Sequence, residues 1–222
     1  MSKLTWNNIN WTLVQDRISR QQRRVYKASI EGNKVKVHAI QRRIIASLDA
    51  KLLAVRQITT ENENKIKLAY KIKFDGKIRE IQPLEDRAKQ MLAKLALEPE
   101  WEAVFERNSY GFRPGKSSHD AIARLFFPLR RKSQYVLQTD IKKCFDRINH
   151  DKLLLKLCTF DTMKNQIKAW LKADIMVGQS MEVISPLLSN IALHGLEDYI
   201  KNWYSKTWYP TTMLGQQERN YN

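Results

Sequence analysis

Apolar residues in the first sixty positions recur at intervals of three or four, which is the spacing of one face of an α-helix. One apolar series begins after Asn10, a residue suited to cap a helix, and stops at Gly32. A second series extends from about residue 35 to about residue 55. The pattern predicts an α-hairpin whose apolar stripes are Trp11, Val14, Ile18 and Val25, then Val37, Ile40, Ile44, Leu48, Leu52 and Val55.

The spacing becomes alternating after a polar stretch at 57–65, which we interpret as a linker. Between residues 66 and 74, apolar side chains occupy every second position, and mainly basic ones stand between them. This alternation predicts a strand, and Asp75 with Gly76 is a typical hairpin turn that leads into a short return strand. We therefore expect a small antiparallel sheet in this part of the chain.

The rest of the pattern predicts further helices and one more strand, so the expected fold class is α+β. The strand, within 135–141, carries Asp140 near its C-terminal end. Ser117 and Asp120 have the spacing of a capping pair, and Ser185 followed by Pro186 is a typical helix start. The expected helices cover residues 86–97, the segment after Ser117, residues 150–158 and 163–173, and the segment from Ser185 to Tyr204.

The charge distribution indicates a polyanionic partner. The 222 residues carry 39 Lys and Arg against 23 Asp and Glu, a net charge of +16. The first sixty residues hold twelve of these cations and three acids. This favours nucleic acid over an anionic membrane, although a solvated basic surface without a partner is the simpler alternative. The predicted RNA-binding residues are Arg17, Arg20, Arg23, Arg24, Lys27, Arg42 and Arg43.

Several classes of protein do not fit the composition. Cys144 and Cys158 are the two cysteines, too few for a disulfide scaffold or a cysteine zinc site, and they favour a reducing, intracellular setting. There is no apolar run of about 18 residues, the length of a transmembrane helix, and the first residues lack the apolar core of a signal peptide. We therefore expect no membrane association.

A candidate metal site lies within residues 135–150, whose sequence is YVLQTDIKKCFDRINH. An apolar strand ends in Asp140, and an aromatic residue and a second carboxylate, Asp146, follow it. Carboxylates held at a strand end are suitable Mg²⁺ ligands for phosphoryl transfer. A strand-end aspartate is also common in α/β proteins, so this segment by itself does not establish a polymerase.

The order of several segments is more specific. The chain contains, in sequence, NINW, LLAVRQIT, EDRAKQMLAKLALEPEWEAVFERNSYGFRPGKSSHDAI, YVLQTDIKKCFDRINHDKLL, IKAWLKA and VISPLLSNIALHGLE. Together they resemble the reverse transcriptases encoded by mobile group II introns, the intron-encoded maturase family, from about residue 6 to about residue 200. The resemblance implies a basic helical N-terminal extension at 1–60, a fingers-like region at 61–134, a partial polymerase palm at 135–204 and a divergent tail at 205–222.

The resemblance also implies roles for individual residues. Asp140 corresponds to the first catalytic and Mg²⁺-binding carboxylate of the palm, and Ile141 contributes its backbone to the same pocket. Phe145 corresponds to the aromatic gate against ribose 2′-hydroxyls, with a plain core position as the alternative. The remaining residues implied to contact nucleotide or template are Lys77, Arg79, Tyr110, Gly111, Phe112 and Arg113. For Arg113 the alternative is an ion pair with a neighbouring carboxylate.

The departures from the family pattern are as informative as the matches. The family carries a Phe/Tyr-Ala-Asp-Asp tetrapeptide after the last matching segment, and no Asp-Asp pair occurs in the 222 residues. The Pro-Gln-Gly-Gly turn expected before VISPLL is also missing, which indicates a deletion between Glu182 and Val183, and the fingers region near 64–82 is contracted. We therefore expect an incomplete palm and no thumb.

These features lead to one main hypothesis and two alternatives. The main hypothesis is a reverse transcriptase or maturase relative that binds structured intron RNA, without polymerase activity of its own. The alternatives are an active RNA-directed DNA polymerase, alone or completed by another chain, and a remnant without function. A completing chain is expected to dock on exposed apolar surface around VISPLLSNIAL, DNA is a further candidate partner, and the expected location is the bacterial cytoplasm or an organelle.

Overall fold

The computed structural model describes residues 6–69, 84–131, 138–141, 147–172 and 183–208. A single 3₁₀ turn at Trp6–Asn8 precedes the first α-helix. The α-helices of the described ranges are α1 Trp11–Ile30, α2 Lys34–Ala46, α3 Leu48–Ala69, α4 Leu84–Glu102, α5 Ser118–Arg131, α6 His150–Leu157, α7 Asp161–Lys172, α8 Ser185–Leu193 and α9 Leu196–Trp208.

The ends of α1 and the start of α2 confirm the predicted hairpin. The Asn10 side chain accepts a hydrogen bond of 3.0 Å from the Leu13 N–H, so that it caps α1 as expected. Gly32 has a φ of +69°, a left-handed conformation that a residue with a Cβ adopts only at a cost, and it closes the turn. Asn33 then caps α2 by accepting from the Lys36 N–H at 3.0 Å.

The second predicted helix is wrong in its bounds, and the predicted linker is wrong altogether. The chain is extended at Ser47, with a ψ of 134°, so α2 ends there and α3 begins at Leu48. Helix α3 then continues through the polar stretch 57–65, because Ile58 is fully buried and each further residue adds a helical hydrogen bond. The short alternating pattern that begins at residue 66 does not stop this helix, which continues to Ala69.

The predicted α+β class is also wrong for the described part of the chain. That part is helical and contains no strand. The first four residues of the strand predicted at 66–74 belong to α3, and the remainder of the hairpin lies outside the described residues. Residues 138–141, from the strand expected to carry Asp140, have no regular secondary structure.

Helices α1 to α4 pack against one another as a bundle. Their apolar stripes meet in the core, where Val25, Val37, Ile44, Ile58 and Leu97 are each at most 1% exposed. Burial of a side chain of this kind contributes about 1.5–3 kcal/mol to folding. The bundle therefore joins the N-terminal hairpin to α4, and the boundary predicted at residue 60 falls inside α3.

A buried carboxylate ties the hairpin to α4. Glu100 is 1% exposed, and its carboxylate accepts 2.6 and 2.7 Å hydrogen bonds from Lys34 Nζ and Gln41 Nε2. The Ser29 hydroxyl donates to the Glu100 carbonyl at 2.9 Å. Gln22 Nε2 donates to the Leu95 carbonyl one turn earlier, also at 2.9 Å. Both helices of the hairpin are thus fixed to α4 by polar contacts as well as apolar ones.

Helices α6, α7 and α8 form the second packed group, and α8 also contacts α4. The segment VISPLLSNIAL supplies much of its core, since Val183, Ile184, Leu187, Leu188 and Ile191 are each at most 4% exposed. The neighbouring helices cover these five residues, so they do not form the expected exposed docking surface, although Leu193 at the end of the segment is 37% exposed.

The helix predicted from Ser185 to Tyr204 is divided in two. The chain turns at His194 and Gly195, where Gly195 has a φ of +92°, and α9 starts at Leu196. Lys156 Nζ donates to the carbonyls of Ala192 and His194, which satisfies acceptors at the end of α8. None of the described helices is both long and apolar enough to cross a membrane.

Replacing Lys34 by alanine tests the buried carboxylate. The change removes the ammonium group from a carboxylate that has almost no access to water, so we expect the free energy of unfolding to fall by about 1–3 kcal/mol in urea denaturation. Lys36→Ala is the matched control, because Lys36 is two residues along the same helix and pairs with Glu31 at the surface at 3.2 Å.

We expect the control to lose less than about 1 kcal/mol, as surface ion pairs do. Equal losses for Lys34→Ala and Lys36→Ala would show that the Glu100 contact is no stronger than a surface pair.

Candidate nucleic-acid interface

The basic residues of α1 lie on the solvent side of the bundle. Arg20, Arg23, Arg24 and Lys27 are all exposed, while the apolar residues Val14, Ile18, Val25 and Ala28 of the same helix are buried. Arg17 is exposed as well but pairs with Asp49 at 3.4 Å, and this contact links α1 to the first turn of α3. The amphipathic pattern of α1 therefore places cations outward because their apolar neighbours are needed in the core.

Among the described residues, the other cations of α1 make no contact with a carboxylate. Two of them make weak contacts with neighbouring oxygen atoms of the same helix. Arg20 donates to the Asp16 carbonyl at 3.3 Å, and Arg24 donates to the Gln21 side chain at 3.4 Å. Within the described residues, neither Arg23 nor Lys27 pairs with an acid. No acid in the described ranges therefore neutralises their charge, which is available there for an anionic ligand.

Helix α2 adds two exposed arginines. Arg43 is exposed, and Arg42 is exposed with its guanidinium carbon 4.9 Å from the centre of the Phe160 ring. His38, one turn earlier, lies within 3.1 Å of the Cys158 carbonyl through its Nε2. Helix α2 therefore contacts the segment between α6 and α7, and Arg42 is oriented by an aromatic ring.

The loop 108–117 is held by Arg113. This residue is 9% exposed, and its guanidinium makes a bidentate pair with the Glu102 carboxylate, with contacts of 2.8 to 3.2 Å. It also donates to the carbonyls of Glu106 and Ser109, each at 2.9 Å, and lies over the Phe105 ring. Of the two roles considered from the sequence, the pairing with a neighbouring carboxylate is the arrangement observed.

Phe112 is the exposed point of this loop. Its φ of 56° is left-handed, an unfavourable conformation for a bulky side chain, and the residue is 78% exposed. Its neighbour Gly111 is fixed through its carbonyl, which accepts from Asn190 Nδ2 at 2.8 Å. Tyr110 is half-buried, with Lys116 Nζ 5.0 Å from its ring centre. The loop thus presents an aromatic ring between two anchored residues.

Contacts with α9 anchor the other end of the loop. Asn108 donates to the Glu197 carboxylate at 2.7 Å, and the Glu197 N–H donates to the Glu106 carboxylate at 3.0 Å. Hydrogen bonds from Lys201 and Asn108 hold the pKa of Glu197 below its usual range. Sequence reasoning missed Glu102 and Glu197 as loop supports, because no local spacing relates an acid on a helix to a loop residue far along the chain.

Asp140 lies in a short exposed segment. Gln138, Thr139, Asp140 and Ile141 are all exposed. The described residues contain no group of three or more His, Cys, Asp or Glu side chains that could hold a metal ion. The described donors around Asp140 therefore do not fit Mg²⁺. The other residues implied for this region, Lys77, Arg79 and Phe145, lie outside the described residues, as does Asp146.

The capping pair after the loop is confirmed. Asp120 accepts from the Ser117 N–H at 2.8 Å, and the Ser117 hydroxyl accepts from the Asp120 N–H at 3.2 Å. This is the reciprocal arrangement of a capping box. The helix that follows, α5, has apolar residues that are exposed in the described part of the chain, with Ile122, Leu125, Phe126 and Leu129 between 45% and 62% exposed.

Two family models match the chain. Residues 6–78 match the N-terminal domain of reverse transcriptase, and residues 70–209 match the reverse transcriptase, or RNA-dependent DNA polymerase, family. The second match covers more than half of the chain. Both basic helices α1 and α2 fall within the first match, and the loop held by Arg113 falls within the second.

Known proteins with similar sequences include some that are named for introns and some that are named maturase-like. A group II intron-encoded protein of Lactococcus lactis subsp. cremoris is 32% identical over 54% of this chain and 22% of its own length. An uncharacterized 91 kDa protein in the cob intron of Schizosaccharomyces pombe is 33% identical over 56% of the chain and 17% of its length. Maturase-like protein 1 of Euglena gracilis is 23% identical over 87% of the chain and 52% of its length. The chain thus spans about half of these relatives or less.

Exchanging Arg113 for lysine tests whether this residue supports the loop. Lysine keeps the charge but cannot make the bidentate pair and both carbonyl contacts, so we expect a loss of about 1–3 kcal/mol in the free energy of unfolding. Limited proteolysis within 106–116 is expected to become faster. Arg107→Lys is the matched control, because Arg107 is an exposed arginine of the same segment.

A control that loses as much stability and protection as Arg113→Lys would contradict the structural role. An Arg113→Lys variant with unchanged stability would also contradict the structural role. That result would favour a direct contact of Arg113 with template or nucleotide.

Proposed function

The chain belongs to the reverse transcriptase family, among the group II intron-encoded reverse transcriptases and maturases, and on that basis we propose that it binds structured intron RNA. The observation that carries the proposal is the exposed cation row of α1, made of Arg20, Arg23, Arg24 and Lys27. In the described residues this row faces solvent without carboxylates to neutralise it.

Phosphate recognition requires little more than such a row. Arginine side chains bind phosphate oxygens bidentately, and each neutralised phosphate releases counterions, so affinity from this source falls steeply with salt. The core positions of α1 hold the helix rigidly against α4, which limits the entropy lost when the cations engage a rigid RNA. Arg42 and Arg43 on α2 extend the proposed surface, and DNA is a further proposed ligand because the contact is to phosphate.

We also propose that these 222 residues do not polymerise DNA by themselves. A two-metal centre needs several carboxylates to hold both ions, and the sequence offers Asp140 without an Asp-Asp pair. Asp140 lies in an exposed segment with no described carboxylate cluster beside it. The Mg²⁺-binding and catalytic roles that the resemblance implies for Asp140 and Ile141 remain proposals. Under the alternative proposal, a second chain completes the palm, and the two residues act in these roles there.

The relatives come from bacteria and from organelle-type introns, so the proposed location is the bacterial cytoplasm or an organelle.

Neutralising the α1 cations tests RNA binding. The variant Arg20→Gln, Arg23→Gln and Arg24→Gln is compared with the control Lys152→Gln, Lys168→Gln and Lys172→Gln, which removes the same charge from exposed positions on α6 and α7. We expect the α1 variant alone to bind a group II intron RNA more weakly. The slope of log affinity against log salt is expected to become shallower by about 0.7–0.9 for each phosphate that the variant no longer neutralises.

Equal losses of affinity in the two variants would show that only net charge matters, and no loss in either would remove α1 from the interface. Circular dichroism on both variants checks that the helices are intact.

Primer extension on an RNA template with Mg²⁺ tests the second part of the proposal. We expect no extension by the isolated chain at any Mg²⁺ concentration. Extension that disappears in Asp140→Asn would overturn this expectation and establish Asp140 as a catalytic carboxylate. Extension that persists in Asp140→Asn would point to a contaminating polymerase.

A further inference from the structure

A cleft of about 500 Å³ opens between α2, the start of α3, α4 and α7. We call it the α2–α7 cleft, and the residues of its lining that matter below are Arg42, Lys51, Lys89, Phe160, Thr162 and Trp170. It is separate from the cation row of α1 and from the loop held by Arg113. Its volume is in the range in which proteins bind small organic ligands.

Aromatic residues form part of its wall. Phe160 is 7% exposed and is oriented by Arg42, whose guanidinium carbon is 4.9 Å from the ring centre. Trp170 is 5% exposed, and its indole Nε1 has no hydrogen-bond partner among the described residues. A buried donor without a partner is uncommon in a folded protein and costs about 1–3 kcal/mol. The Trp170 ring lines the cleft, while its Nε1 atom is itself buried, so Trp170 contributes an apolar aromatic surface to the wall.

Two cations at the cleft lack an acidic partner in the described part of the chain, Arg42 and Lys51. The third, Lys89, pairs with Glu85 at 2.8 Å and is therefore largely neutralised. The acids nearest in sequence to the lining are Asp49, Glu85, Asp86 and Asp161. Asp49 pairs with Arg17 and Glu85 with Lys89, and among the described residues none of the four acids pairs with Arg42 or Lys51. The cleft therefore combines a mainly apolar wall with a pair of uncompensated positive charges.

The first turn of α7 contributes a third source of positive potential. The Lys164 N–H donates to the Phe160 carbonyl, so the N–H groups of Asp161, Thr162 and Met163 precede the first closed turn and have no partner inside the helix. Thr162 and Met163 line the cleft. The start of a helix carries partial positive charge and commonly binds phosphate.

We propose that the α2–α7 cleft binds a nucleotide. Arg42, Lys51 and the first turn of α7 bind its phosphate, and the apolar wall with Trp170 receives its base, for which the Thr162 hydroxyl is a hydrogen-bonding group. The site is independent of RNA binding by α1. An unpaired nucleotide of an RNA strand and a free mononucleotide share this chemistry, so the test includes both.

The experiment measures the affinity of the full chain for AMP and for a short unstructured oligoadenylate by isothermal titration. The cleft variant is Arg42→Gln with Lys51→Gln. The control is Lys152→Gln with Lys168→Gln, which removes the same charge from exposed positions of α6 and α7 outside the cleft lining. We expect AMP affinity to fall about tenfold or more in the cleft variant, as for loss of a charge-assisted hydrogen bond, and less than about twofold in the control.

A second readout locates the ligand. The indole N–H resonance of Trp170, assigned with Trp170→Phe, is expected to shift when AMP is added and to remain unshifted in the cleft variant. Circular dichroism checks that both double variants are folded.

The outcomes separate the sources and the two proposals. Oligoadenylate binding that depends on Arg42 and Lys51, without AMP binding, assigns the cleft to a nucleotide within a strand. If the α1 variant still binds AMP, the cleft is supported as a separate site. This conclusion holds whether or not that variant still binds intron RNA. Absence of binding by both probes, or equal losses of affinity in cleft and control variants, would overturn the nucleotide site.

Discussion

The structure depends on the burial of Glu100 between the N-terminal hairpin and α4. A carboxylate that is 1% exposed requires partners, and Lys34 and Gln41 on α2 provide them. Ser29 on α1 donates to the backbone carbonyl of the same residue, so both helices of the hairpin contact Glu100. Apolar packing alone tolerates small shifts between helices, whereas hydrogen bonds to a buried charge permit one arrangement. The orientation of the basic surface of α1 therefore follows from a polar contact on the opposite side of the helix.

The C-terminal end of α4 also positions the loop 108–117 relative to the bundle. Two residues beyond Glu100, Glu102 forms the bidentate pair with Arg113 that shapes the loop carrying Phe112. Helix α2 makes the second connection, because His38 and Arg42 contact the segment that precedes α7. The proposed RNA surface, the exposed loop and the α2–α7 cleft are thus built on one rigid bundle rather than on independent units.

Stability and the proposed RNA binding involve different cations in this protein. Lys34 and Arg113 contact buried or half-buried carboxylates and hold the fold, whereas Arg20, Arg23 and Lys27 face water and contribute little to it. Exposed cations contribute little to the free energy of folding. Their number and positions are therefore not fixed by the fold and can match a polyanionic ligand.

Local order along the chain was determined by the sequence alone, and contacts between distant segments were not. The Asn10 cap, the Gly32 turn and the Ser117–Asp120 box depend on atoms three or four residues apart, so spacing predicts them. The sequence pattern also carried the family. Only the tertiary structure decided that α3 continues past Ile58, that most of VISPLLSNIAL is buried, and that Arg113 pairs with Glu102. These outcomes depend on which apolar surfaces and charges meet after the helices pack, and no local spacing records that.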